Sequence, residues 1–424
     1  MLLISKTYWL GMPFNYKGAL PEGTEVRPLH LQAADMRWIT GLYYTPATAA
    51  KRRPIGVLVM HPRADFSRHY CIPRFVENGI SVLGLTTRCL NNDVTAIHED
   101  LILDVAAGVQ YLREQGAEKV ILVGNSGGGA LFSFYQEQAE KAVGQRIATD
   151  PAGKPTKLNM ATMIPADALI ALSAHAGEGQ VLLHCIDPAV TDESNPLASD
   201  PALDMYNPDN GFAPPPTSSQ YSAEFIAAFR AGQRARVARL DAHARALIAD
   251  ARTAEESYKK TKNVLDFAER QAIGRHAAFE PVMTIYRTMA NPNYTDLTQD
   301  PSARGYGSLF SERPDLMNYQ FIGFGRLVTP AAWLSTWSGL SSNADFCRNI
   351  ASTQIPVLIV NALRDKEIHP ADARKMFAAV TSPDKTFLDQ DAEHYFEPAF
   401  GEQTAPDVER LMTHVVPWVL ERFS

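Results

Sequence analysis

Short apolar runs alternate with longer helical stripes along most of this chain. Near the start, Glu25 to Leu31 and Met36 to Tyr44 break apolar positions with Arg37, Thr40 and Tyr43 and show no helical period, which predicts two strands at an antiparallel edge. After the basic turn Lys51-Arg52-Arg53-Pro54 come Ile55 to Met60, Ile80 to Leu85 and Val120 to Val123. Runs this short and rich in β-branched residues suit strands buried on both faces of a parallel sheet. Between them, Tyr70 to Glu77 and Ile97 to Glu114 have helical period, the second with a stripe at Ile97, Leu101, Val105, Val109 and Leu112. Strand and helix in alternation specify a doubly wound, mostly parallel α/β sheet.

The alternation continues through Ala168 to Leu172 and then stops. It resumes with a strand at Pro356 to Val360, a helix near Ala371 to Val380, a strand at Thr386 to Leu388 and a last helix from Pro406 to Arg422. Between the two stretches lies a proline-punctuated loop, Asn207-Pro208 through Pro214-Pro215-Pro216. A helical stretch follows it, with a stripe at Val237, Leu240, Ala244, Leu247 and Ile248. The expected organisation is a core of residues 1–183 and 346–424, with 184–345 inserted before the last two strands. The later half of the insertion carries Tyr286, Tyr294, Tyr306, Phe310, Tyr319, Phe321, Phe324, Trp333 and Trp337. These could line an apolar pocket, although packing of the insertion's own core accounts for most of them.

The sheet has a reactive group at its edge. Gly124-Asn125-Ser126-Gly127-Gly128 follows the strand Val120 to Val123 and precedes a helix over Ala130 to Gln138. A serine in a tight strand-to-helix turn needs small neighbours, because strand and helix must approach closely there. A serine hydroxyl also needs a base, and the base an orienting acid. Asp365 falls at the carboxyl end of the strand Pro356 to Val360, and His394 in the loop after Thr386 to Leu388. His369 opens a helix through Pro370, His414 lies inside the last helix, and Asp389 and Asp391 are close to His394 in sequence but not on the neighbouring strand. Gly127 is the first expected oxyanion donor through its backbone amide. The second should come from His61-Pro62-Arg63-Ala64-Asp65; Pro62 has no N–H, so Arg63 is expected to supply it, with pairing of Arg63 or Arg68 to Asp65 as the competing reading.

On these residues the chain resembles the α/β-hydrolase superfamily across about residues 25–183 and 346–424, with Pro62 departing from the His-Gly that many members carry in that turn. The resemblance implies a serine hydrolase with Ser126, Asp365 and His394 as its triad and residues 184–345 as a cap. The leading expectation is hydrolysis of a carboxylic ester or lactone of an apolar, ring-containing small molecule through an acyl-enzyme. Carbon–carbon bond hydrolysis, thioester hydrolysis and non-catalytic ligand binding are the alternatives.

Bulk properties narrow the partners. Forty basic and forty-seven acidic residues give a formal charge of −7, which offers no general attraction to nucleic acid or anionic lipid. A run of arginines, Arg230, Arg234, Arg236, Arg239, Arg245 and Arg252, could meet a phosphate-bearing acyl carrier but reads more simply as a solvated helix face. Met1 to Lys6 lacks the pattern of a secretory signal, and no apolar stretch has the length of a membrane span. Cys71, Cys89, Cys185 and Cys347 lack metal-knuckle spacing, and Asp200 and Asp204 have no histidine at ligand spacing. The expectation is a cytoplasmic enzyme acting on a small molecule, without metal or organic cofactor, and compatible with a homo-oligomer.

Overall fold

The computed structural model describes residues 19–48, 52–398 and 404–424. Met1 to Lys6 and Lys51 of the basic turn lie outside them. Eight strands form one sheet: β1 (Glu25–Gln32), β2 (Trp38–Thr45), β3 (Ile55–Val59), β4 (Ser81–Leu85), β5 (Lys119–Asn125), β6 (Ala168–Leu172), β9 (Val357–Ala362) and β10 (Lys385–Gln390). Their order across the sheet is β1-β2-β4-β3-β5-β6-β9-β10. β1 and β2 pair antiparallel at one edge, and every pair from β4 to β10 is parallel.

The apolar runs are continuous because helices cover both faces. Alternate residues enter two cores: Leu58, Val120, Leu122 and Ile359 pack under α2 (His98–Glu114) and α3 (Gly128–Glu140). Val57, Val59, Ile121, Val123 and Leu358 pack under α1 (Ile72–Glu77) and the C-terminal helix α11 (Pro406–Phe423). Each fully buried Leu, Val or Ile contributes roughly 1.5–3 kcal/mol relative to exposure, so this double cover dominates the sheet's stability. From β3 the chain goes first to β4 on one side, then to β5 on the other. Such a reversal leaves a crevice beyond the carboxyl ends of β3 and β5, where the loops diverge.

Between β6 and β9 no residue joins the main sheet. This stretch holds α4 (Glu178–Cys185), the 39-residue α5 (Ala223–Thr261), α6 (Phe267–Ala278), a ribbon of β7 (Met283–Thr284) and β8 (Leu327–Val328), and the short α7 (Pro314–Met317) and α8 (Pro330–Ala332). A π-helical turn at Trp333–Trp337 and α9 (Phe346–Ile350) lead back to β9. Val181, Leu182 and Leu183 of α4 belong to the same cluster as Val237, Leu240, Trp333 and Trp337, so α4, which spans the expected boundary at residue 184, packs with the insertion.

Buried charges run through this cluster. Asp187 accepts from Arg287 Nε at 2.9 Å and from Asn318 Nδ2 at 2.7 Å, and forms an ion pair with Arg287 Nη2 2.7 Å away. Asp241 accepts from Trp333 Nε1 at 2.7 Å and Ser338 at 3.0 Å.

The insertion is stitched to the start of α2. The His98 amide donates to Ser335 Oγ (3.0 Å), Ser335 Oγ donates to Glu99 (2.6 Å) and Thr336 Oγ1 donates to the Ala96 carbonyl (2.6 Å). Asn343 donates to Glu99 (2.9 Å), and the Thr329 amide to the Val94 carbonyl (2.8 Å). Among the described residues no helix is long and apolar enough to cross a membrane.

Candidate active site

Ser126 sits directly after β5 with φ of +55°, in the left-handed region that non-glycine residues rarely occupy. Its amide is held by the Leu172 carbonyl of β6 (3.1 Å), and the His175 amide donates to the Ser126 carbonyl (3.3 Å). The glycines around it are dictated by contact. A Cβ on Gly124 would meet the backbone of Gly128, so only glycine lets the strand end against the helix. A Cβ on Gly127 would meet the Glu178 carboxylate and come within 3.1 Å of His61 Nε2. The helix begins two residues earlier than its apolar period suggests, at Gly128, which places the Gly127 amide at the amino end of α3.

Asp365 and His394 are brought together from different loops. Asp365 Oδ1 accepts from the amides of Glu367 (2.8 Å) and Ile368 (3.1 Å), which aims Oδ2 at His394 Nδ1, 2.6 Å away. His394 Nε2 is buried with no hydrogen-bond partner among the described residues. Burial works against the imidazolium, yet the charge and hydrogen bond of Asp365 outweigh it and raise the His394 pKa above its ordinary value. The other histidines and acids are occupied elsewhere. His369 caps α10 (Pro370–Ala379) with Asp372, and His414 is exposed on α11. Asp389 accepts from Asn361 (2.7 Å) and Asp391 pairs with Arg364 (2.7 Å).

The turn after β3 departs from expectation. The Arg63 amide donates to His61 Nδ1 at 3.1 Å, and the Ala64 amide joins it at 2.9 Å. The amide expected to face an oxyanion is therefore directed into its own turn. The Arg63 guanidinium pairs with Asp93 (3.2 Å) and lies over Trp337 at 5.1 Å, while Asp65 caps the Ser67 amide instead of pairing with Arg63.

Several residues that sequence reasoning missed surround this centre. Glu178 is buried beside Gly127, with His98 Nε2 at 3.2 Å. Burial opposes its ionisation, but the contact with His98 outweighs it and holds the carboxyl well below the ordinary range. Burial drives His61 well below its ordinary value and His175 down to about 4, so both imidazoles are neutral near pH 7. Tyr395 is buried beside His394, its ring edge-on to the imidazole with centroids 4.3 Å apart. Glu367 accepts from the Tyr294 hydroxyl at 2.8 and 2.9 Å and from Cys185 at 3.4 Å; burial pushes its pKa up to about 7. His61 belongs to the turn after β3 and Tyr294 to the aromatic run already singled out, and Tyr395 and Glu367 lie close in sequence to His394 and Asp365; Glu178 and His175 arrive from a segment with no motif.

A cleft beside the site is lined by His175, Gln180, His184, Glu367, Asp372 and Lys375 among others. The insertion's aromatics do not form its wall: Tyr294, Phe310, Trp333 and Trp337 are fully buried in the insertion's own core, and Phe321 is exposed. The arginine run is divided as well. Arg236 is buried and pairs with Glu193 (2.7 Å), Arg230 bonds the His184 carbonyl (3.0 Å), and Arg234 and Arg252 face outward.

No family profile and no curated protein matches the sequence. Among solved structures, the chain is similar to DcsB in complex with its substrate analogue, at 12% identity over 94% of this chain and 99% of that one, with a TM-score of 0.50. The α/β hydrolase GrgF from Penicillium sp. sh18 aligns at 14% identity over 94% and 99% of the two chains, with a TM-score of 0.47. The esterase domain of a Rhodothermus marinus protein aligns at 9% over 93% and 98%, with a TM-score of 0.43. Identities this low speak to fold alone. With an eight-stranded, mostly parallel sheet, a left-handed serine between β5 and α3, and a large helical insertion between β6 and β9, the chain has the α/β-hydrolase fold.

Proposed function

We propose that this chain is a serine hydrolase that cleaves a small carboxylic ester or lactone through an acyl-enzyme. The observation that carries the reading is the Asp365–His394 contact of 2.6 Å, with His394 Nε2 buried and unpartnered, at the end of the sheet that presents Ser126. In this reading His394 Nε2 takes the Ser126 proton as Oγ attacks the carbonyl carbon, and Asp365 holds the tautomer and stabilises the imidazolium. The raised His394 pKa suits that role, because a stronger base accepts the proton more readily. The Gly127 amide donates to the developing oxyanion. Collapse expels the alcohol, which takes its proton from His394, and water repeats the sequence to release the acid. The insertion acts as a cap over the site. Its aromatic content gives little support for a ring in the substrate, since Tyr294, Phe310, Phe324, Trp333 and Trp337 are taken up by the insertion's own core.

The test uses p-nitrophenyl esters of short acids and a fluorophosphonate probe on wild type and Ser126→Ala. Hydrolysis and labelling by wild type alone support the reading. Equal labelling of both proteins, or absence of any esterase activity, would sink it.

A further inference from the structure

The cleft beside the site shares its wall with the backbone that holds the reacting groups. His175 lies in that wall, and its amide donates to the Ser126 carbonyl at 3.3 Å. Glu367 and Ile368 lie there too, and their amides donate to Asp365 Oδ1 at 2.8 and 3.1 Å. A molecule in this cleft therefore touches the residues that hold Ser126 and Asp365 in place.

The polar side chains facing it are rich in donors. His175 Nδ1 accepts from the Gly177 amide at 3.1 Å, and a neutral imidazole has one proton, so that proton sits on Nε2. Among the described residues nothing accepts from it. Asn291 is occupied on its oxygen alone: Oδ1 accepts from Arg230 Nη2 at 3.0 Å and from the Asn293 amide at 3.2 Å, which leaves the Nδ2 protons for the cleft. Asn291 is 4% and His175 8% exposed, so each unfilled donor carries a desolvation cost that a bound acceptor relieves.

Charge points the same way. The Arg230 guanidinium behind Asn291 donates to three neutral acceptors, Asn291 Oδ1, the His184 carbonyl and Gln233 Oε1, and pairs with no carboxylate among the described residues. The Lys375 ammonium stands at the rim. Against these two cations Asp372 brings one negative charge, with Oδ2 turned to the His369 amide at the start of α10. Glu367, its pKa pushed up to about 7 by burial, is neutral below that pH. Val181 and Ile368 add apolar wall between the polar groups.

We propose that this cleft binds a second carboxylate carried by the acyl group, held by His175 Nε2, Asn291 Nδ2 and Lys375 with Arg230 behind them, so that the substrate is a half-ester of an aliphatic dicarboxylic acid. The inference rests on the ester-hydrolase reading above and names its substrate class. Methylenes of the acyl chain lie against Val181 and Ile368. Ser126 takes the esterified carbonyl, the alcohol leaves with the proton from His394, and water releases the diacid.

The test measures methanol release from the monomethyl esters of succinic, glutaric and adipic acids and from the matching neutral ω-amides. For at least one chain length, wild type should prefer the acid over the amide about tenfold or more in kcat/KM, chiefly through KM. Asn291→Asp keeps both acceptor bonds and gains an ion pair with Arg230, yet sets a carboxylate where the substrate's should lie; the acid-to-amide ratio should fall about tenfold or more. The ratio is independent of the folded fraction, because both substrates sample the same active molecules. Lys375→Gln, at an exposed position, should lower it about threefold and decides the matter if Asn291→Asp does not fold. A wild type that labels at Ser126 with fluorophosphonate but shows no preference for any acid, or a ratio within about 1.5-fold of wild type in the deciding variant, overturns the proposal and leaves the hydrolase reading intact. If wild type neither labels at Ser126 nor hydrolyses any ester, the underlying reading fails and the proposal falls with it.

Discussion

The sheet and the insertion are both densely packed, yet they are held by different means. In the sheet, alternate residues of β3, β5 and β6 enter two apolar cores, and any residue of similar volume and hydrophobicity would serve. In the insertion, the apolar cluster surrounds Asp187 with Arg287, Asp241 with Trp333 and Arg236 with Glu193. A buried ion pair gains little net stability over an apolar replacement, but removing one partner leaves an uncompensated charge. The sheet is thus robust and presents Ser126; the insertion is specific and brittle.

Four substitutions can break or sharpen that contrast. The largest effect should come from Ser126→Ala, which is expected to lower kcat/KM on an ester by roughly 10⁴-fold or more while shifting unfolding free energy by less than about 0.5 kcal/mol. Loss of stability comparable to the loss of activity would show that the sheet edge is not the robust platform described. Next, Arg287→Ala strands Asp187 inside the insertion and should cost about 3–5 kcal/mol in urea unfolding with Ser126, Asp365 and His394 untouched. A cost below about 1 kcal/mol would place the insertion in the same tolerant class as the sheet.

Glu367, where the core loop after β9 meets Tyr294 and Cys185 of the insertion, tests the boundary between the two. Its pKa is raised to about 7, so the folded state holds a proton that the unfolded state releases near pH 4.5. Stability from this group is complete below pH 4.5 and is lost as pH rises through 7, so Glu367→Gln should gain up to about 3 kcal/mol at pH 8 and little at pH 4. Urea midpoints at the two values decide it; a gain independent of pH contradicts the assignment. The smallest effect is Ser126→Gly, which relieves the positive φ and should stabilise the protein by about 1 kcal/mol while remaining inactive. A destabilised glycine variant would show that the serine side chain, not its backbone, anchors the turn.

The sequence was informative where one physical constraint acts on consecutive residues. Period and β-branching located β3, β5, β6 and β9 to within two residues, and the glycines at 124, 127 and 128 announced the turn at Ser126. Asp365 and His394 followed because strand order fixes which loops can meet. What stayed hidden depends on partners far apart in the chain. Nothing about His61 reveals that its Nδ1 captures the Arg63 and Ala64 amides, and an isolated Glu178 in Glu178-Gly179-Gln180-Val181 reads as a helix-surface acid until Gly127 and His98 are seen against it. The aromatic run packs largely into the insertion's own core, as its composition suggested, but composition alone does not tell which of its members are buried and which, such as Phe321, are exposed.

The seam at the start of α2 has a further consequence. Ala96, His98 and Glu99 belong to the first turn of a core helix and its approach, yet their polar groups are completed by Ser335, Thr336 and Asn343. Opening the insertion as a body would leave those donors and acceptors unsatisfied inside a region where water has been excluded. Core and insertion are thereby coupled into one cooperative unit, and heating should produce a single calorimetric transition whose van't Hoff and calorimetric enthalpies agree.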